Sequence, residues 1–208
     1  MDIVETWTAA AGAFADLVEL VPDDRWTGPG LGPWTLRDLV GHTCSAGLRE
    51  VVATLDRAPA LTEDIASGAD YYAFATKIDR ALYESLVAAS TDDARRTGES
   101  LGDRPADAVR GWVADAVATV RAAAPEMLVT TAAGGMRLDA WLPTRTFELA
   151  VHSLDIAAAL GHAYQLPDQV IADAAALAAR IGTAIGQGRD VLLALTGRGH
   201  LSAGFSVV

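Results

Sequence analysis

"TRTFELAVHSLDIAAALGH" (144–162) consists mostly of good helix formers, yet it carries Arg145, Glu148, His152 and Asp155 at spacings of three and four. Each residue of an α-helix turns the chain by about 100°, so these four side chains stack on one face. Gly161 is a natural C-terminal stop and Asp139 a candidate N-cap. Pro143 then falls in the first turn, where its missing N–H costs little. An ionisable stripe on an otherwise apolar helix has two explanations. Arg145 with Glu148, and His152 with Asp155, are opposite charges three apart, as on an ordinary solvated face. Alternatively, Glu148 and His152 bind one metal ion, because residues four apart bring their Cβ atoms within about 5–6 Å. Spacing alone leaves both readings open.

Outward from this helix, the chain reads as further helices. Residues 2–21 place Ile3, Trp7, Phe14, Leu17, Val18 and Val21 at helical spacing, and Pro22 ends the run. The Gly- and Pro-rich "WTGPGLGPW" (26–34) is a loop. Thr35 through Asp38 has the form of a capping box and opens a second helix that reaches about Arg57. A third helix is expected over 69–90, a polar connection over 90–104, and a fourth helix from Pro105. "TTAAGGMR" (130–137) reads as loop, 168–186 as another helix, and the remainder as a short tail packed on the bundle. No repeat and no interdomain linker interrupts the pattern. The expectation is one all-α domain over 1–208, a helical bundle with extra short helices and a short C-terminal tail.

Composition narrows the function. Half of the 208 residues are apolar and 21% are charged, which suits a packed globule. The net charge of −11, with no Lys/Arg cluster, argues against nucleic acid and against an anionic membrane surface. Lys77 is the only lysine, a bias that fits a GC-rich bacterial genome. The single Cys44 excludes an internal disulfide and suits a reducing compartment. With no secretory signal and no long apolar run, the expected location is cytoplasmic. Oligomeric state is not legible, and a homodimer is compatible with the sequence.

Two ligands do not make a metal site, and the chain has only four histidines. His162 follows Gly161 and His200 sits in a Gly-flanked tail, so both read as exposed bystanders. His42 lies within the second helix at the edge of its apolar face. It is either a boundary histidine with a local partner or the third ligand beside Glu148 and His152. In the second case Asp155 accepts the other ring N–H of a ligating histidine. Arg145 then either holds Glu148 or binds a substrate carboxylate. Cys44, two residues from His42, turns away from it and reads as a small buried residue.

"GLGPWTLRDLVGHTCSA" (30–46) resembles the Pro-x-Trp-[Thr/Ser]-hydrophobic-[Arg/Lys]-Asp-Leu-hydrophobic-x-His segment of the DinB-like superfamily. "RTFELAVHSLDIAAALG" (145–161) is similar to the Arg-x-x-Glu-x-x-x-His-x-x-Asp helix of the mycothiol-dependent maleylpyruvate isomerase N-terminal domain family. "LLALTGR" (192–198) resembles a tail of its shorter members. The resemblance implies an up-down-down-up four-helix bundle with a divalent metal held by His42, Glu148 and His152. Zinc is the usual ion, although this donor set also suits nickel, iron or manganese. It further implies that the metal activates a low-molecular-weight thiol, mycothiol in the isomerase itself, for S-transfer or thiol-assisted isomerisation of a small electrophile. The isomerase has an additional C-terminal domain, whereas this chain ends soon after its metal-site helix. Maleylpyruvate is therefore not the expected substrate, and an S-transferase of specialised or detoxification metabolism fits at least as well. A metal-dependent hydrolase acting through activated water, or a non-catalytic bundle binding metal or a small ligand, are the competing readings.

Overall fold

Helix α1 (Ile3–Val18) buries Trp7, Phe14, Leu17 and Val18, the residues whose spacing announced it. The computed structural model describes residues 2–208. Helix α2 (Leu36–Cys44) begins with the expected capping box: the Thr35 hydroxyl accepts from Asp38 N, and Thr35 N donates to Asp38 Oδ2 at 3.0 Å. The helical path continues through a widened π segment (Ser45–Arg49) into α3 (Glu50–Asp56). Helices α4 (Gly68–Ala73), α5 (Arg80–Ser100) and α6 (Pro105–Ala122) follow. A hairpin of β1 (Leu128–Thr131) and β2 (Gly134–Arg137) leads into α7 (Leu138–Leu160). Helices α8 (Asp168–Ala184) and α9 (Gly188–Leu195) complete the chain.

Side-chain contacts fix the directions of the four bundle helices. Arg25, beyond the end of α1, donates to Ala159 O near the end of α7, and Tyr164, just past α7, reaches Ala13 O, so α1 and α7 are parallel. His42 meets His152 while Ala46 meets Arg145, so α2 runs against α7. Arg110 near the start of α6 pairs with Asp16 and Glu19 near the end of α1, so α6 also runs down. The result is the up-down-down-up bundle α1, α2–α3, α6, α7. Helix α5 lies antiparallel on α2 and carries the chain back to the top, which makes the two consecutive downward helices possible.

Four expectations need correction. The run 69–90 is not one helix, because Asp79 caps a new one by accepting Leu82 N at 2.8 Å. The stretch 90–104 is largely helix, as α5 persists to Ser100. Its polar sequence hides a stripe of small residues, Ala94, Thr97 and Gly98, buried against α2, with Asp92–Arg95 and Asp93–Arg96 pairs outside. "TTAAGGMR" forms part of a hairpin rather than a loop. Finally, α7 is entered through Arg137, and Asp139 pairs with that arginine in the first turn instead of capping the helix. Pro143 therefore sits in the second turn.

The α2–α5 contact depends on glycine. A Cβ at Gly41 would lie 2.3 Å from Ala94 O, and one at Gly98 would lie 2.8 Å from Arg37 O, so both helices approach backbone to backbone. Gly161 ends α7 at φ 71°, as its position suggested. The tail reaches the bundle through Val207, which packs beside Gly182 and Ile181 of α8. No helix among the described residues is long and apolar enough to cross a membrane.

Candidate metal centre

Helices α2 and α7 cross so that His42, Glu148 and His152 converge, with one donor atom from each within 4.8 Å of the others. Glu148 Oε2 faces both imidazoles, 3.3 Å from His152 Nε2 and 3.9 Å from His42 Nε2. Donors about 2.0–2.1 Å from a tetrahedral ion lie about 3.3–3.4 Å apart. One pair already has that separation, the second is about half an ångström too wide, and the two histidines, within 4.8 Å of each other, have the furthest to close. Two imidazoles and a carboxylate also leave a coordination position free, as in catalytic rather than closed zinc sites. The residues fit a divalent metal.

Each of the three side chains is oriented by a neighbour. His152 Nδ1 is 3.0 Å from Asp155 Oδ2, which leaves Nε2 facing Glu148. Ser90 Oγ of α5 is 3.4 Å from His42 Nδ1. The Tyr72 hydroxyl donates to Glu148 Oε1 at 2.5 Å, so one carboxylate oxygen is engaged and the other is left for the imidazoles. Trp34 packs against His42 with ring centroids 4.7 Å apart and the planes tilted by 40°.

Without metal, this arrangement stores a proton. Burial opposes charge on His152, but hydrogen bonds to Asp155 and Glu148 outweigh it and raise the imidazole to about 9. Burial likewise works against the Glu148 carboxylate. The hydrogen bond to His152 and the Arg145 charge prevail and hold it down at about 2. His42 goes the other way, to about 4, because of burial and then the neighbouring His152 charge. The metal-free trio at neutral pH is an ion pair between His152 and Glu148 beside a neutral His42.

Arg145 does not hold Glu148 by a direct ion pair. It is buried, donating Nη1 to Ala46 O at 3.2 Å and Nε to Thr144 Oγ1 at 3.0 Å. Ala46 belongs to the π segment, as does Gly47, whose carbonyl takes the indole N–H of Trp7. The widened turn thus supplies two carbonyls to side chains at the level of the site, in keeping with the placement of such turns near functional residues. Cys44 is fully buried, which pushes its thiol up and away from reactivity. His162 and His200 are exposed and lie outside the cluster.

Sequence reasoning missed Tyr72 and Ser90 as site residues. Tyr72 lay within the helix expected over 69–90, and Ser90 stood at the edge of an expected connection. Neither carries a local signal, because their roles arise from α4 and α5 folding back over α2 and α7.

The family model described as "Mycothiol maleylpyruvate isomerase N-terminal domain" matches residues 7–157, which include all three clustered residues, Asp155 and Tyr72. No curated protein and no solved structure matches the chain. With the match spanning most of its length, the chain belongs to the mycothiol maleylpyruvate isomerase N-terminal domain family.

Proposed function

We propose that this protein is a cytoplasmic metalloenzyme that uses a low-molecular-weight thiol, mycothiol or a close analogue, to transfer sulfur to a small electrophile or to isomerise one. The observation that carries this reading is the convergence of His42 and His152 Nε2 with Glu148 Oε2 beside an open cavity. The divalent ion, zinc by preference, would supply the positive charge that lowers a thiol into its thiolate form at neutral pH.

The protein's own residues hold and shape the site. His42, Glu148 and His152 provide the donor set, Asp155 fixes the His152 ring, and Tyr72 occupies the second oxygen of Glu148. Residues of α4 and α5 form walls of the cavity beside the cluster. In S-transfer the thiol loses its proton to solvent, the sulfur forms a bond to the acceptor carbon, and the leaving group departs with its bonding pair. In isomerisation the same sulfur adds to an activated alkene and is expelled after rotation about the former double bond. The partners are small molecules rather than nucleic acid or a membrane, in keeping with the net charge of −11.

The test combines metal analysis with thiol dependence. Protein purified without chelators should contain about one equivalent of metal, and His152→Ala should lose it. The loaded wild type should consume mycothiol only in the presence of an electrophile such as a haloarene or an α,β-unsaturated acid. Absence of metal even after incubation with zinc would leave Glu148 and His152 as a largely buried ion pair and remove the mechanism. Metal-dependent turnover that proceeds equally without thiol would replace the transferase by a hydrolase.

A further inference from the structure

Two of the clustered residues, His42 and Glu148, line a cavity of about 720 Å³ together with Arg145. That volume lies within the range of small-molecule sites, about 300–1,000 Å³. Its walls are largely apolar, with Trp34, Tyr71, Phe74, Ile78 and Leu86 prominent. Such a lining suits a hydrocarbon or aromatic body.

Arg145 is the one guanidinium or ammonium group lining this cavity, and it is only 5% exposed. Among the described residues it forms no ion pair. Its two hydrogen bonds go to neutral oxygens of Ala46 and Thr144, and its Nη2 has no protein acceptor. The Tyr71 and Trp141 rings each lie 5.3 Å from Cζ and hold the cation against aromatic faces. The nearby charge of Glu148 is already engaged by His152 and Tyr72. Arg145 feels the Glu148 charge without a direct ion pair, and a carboxylate arriving through the cavity would add the charge-assisted hydrogen bonds it lacks. Since the whole protein is strongly acidic, any preference for an anion has to come from this local charge.

We propose that the acceptor substrate is a monocarboxylate with an apolar or aromatic body, its carboxylate seated on Arg145 and its body against the Tyr71–Phe74–Ile78 wall. This rests on the thiol-transferase reading for the word "acceptor", but the recognition itself needs neither thiol nor metal. In this placement the carboxylate end is anchored near Glu148, and specificity among acceptors is set by the shape of the body.

The experiment is isothermal titration of the chelator-treated full chain, so that no metal can bind the carboxylate, with 4-phenylbutyrate, 4-phenylbutanol and 4-phenylbutylamine. The carboxylate should bind at least tenfold more tightly than the alcohol, and the amine most weakly. Arg145→Gln should remove the carboxylate's advantage while keeping the affinity for the alcohol. Equal affinity for acid and alcohol, a preference for the amine, or no binding of any of the three would overturn the proposal. So would an advantage for the acid that survives in Arg145→Gln. If that variant does not fold, the wild-type comparison of acid with alcohol decides alone. A carboxylate preference without thiol-dependent turnover would leave this proposal standing while the functional reading fails; the reverse outcome would separate them the other way.

Discussion

The Tyr72 hydroxyl and Glu148 are bound 2.5 Å apart through Oε1, the oxygen that neither histidine faces. Two residues 76 apart in sequence thereby decide how many oxygens the carboxylate can offer a metal. Tyr72 has no such influence on the histidines.

Replacing Tyr72 by Phe keeps the ring and removes this tie together with the hydroxyl's weaker 3.2 Å contact with Thr144 O. Loss of a partner that orients a ligand costs roughly 10–100-fold in metal affinity. Tyr72→Phe should weaken zinc binding by that factor with little change in melting temperature. The absorption spectrum of the cobalt-substituted protein should shift toward higher coordination as both Glu148 oxygens become available. An unchanged spectrum and affinity would show that the bond has no part in the site.

Metal uptake should release a proton. At pH 7 the metal-free trio holds one, on His152, whose imidazole titrates near 9, while His42 titrates near 4 and Glu148 near 2. A metal ligand has to be deprotonated, so about one proton leaves for each ion bound and apparent affinity rises about tenfold per pH unit up to about 9. The stability of the metal-free protein has the matching sign. His152 is raised from an ordinary 6.5, so its contribution is complete below 6.5 and is lost as pH rises through about 9. Calorimetry in buffers of different ionisation enthalpy measures the proton count directly, and a value of zero at pH 7 would contradict the ion-pair description.

The Gly41–Gly98 contact should not tolerate a methyl group. A Cβ on Gly41 would meet backbone atoms of α5, which cannot rotate aside as a side chain would. Gly41→Ala is expected to destabilise the fold by about 1–3 kcal/mol, measured by urea denaturation. Because α5 carries Ser90 to His42, the variant should also bind zinc more weakly. A neutral variant would mean that the two helices separate freely.

The sequence by itself determined the helical class, the start of α2, the end of α7 and the pairing of Glu148 with His152 on one helix face. These are short-range matters: the Thr35–Asp38 capping box, the left-handed turn at Gly161 and the 3.6-residue period act over at most a few residues. Even the third member of the cluster was within reach, because His42 stood at the boundary of an apolar face among only four histidines. Only the tertiary structure decided the rest. The polar stretch after residue 90 became helix because Gly98 and Ala94 let it pack on Gly41, a contact that no local periodicity announces. Tyr72 reached Glu148, and Arg145 found Ala46 O within a widened turn, because separate segments fold back on one another. Propensity and spacing act along the chain, whereas a cavity, a buried guanidinium at its wall and the choice of one carboxylate oxygen exist only where distant segments meet.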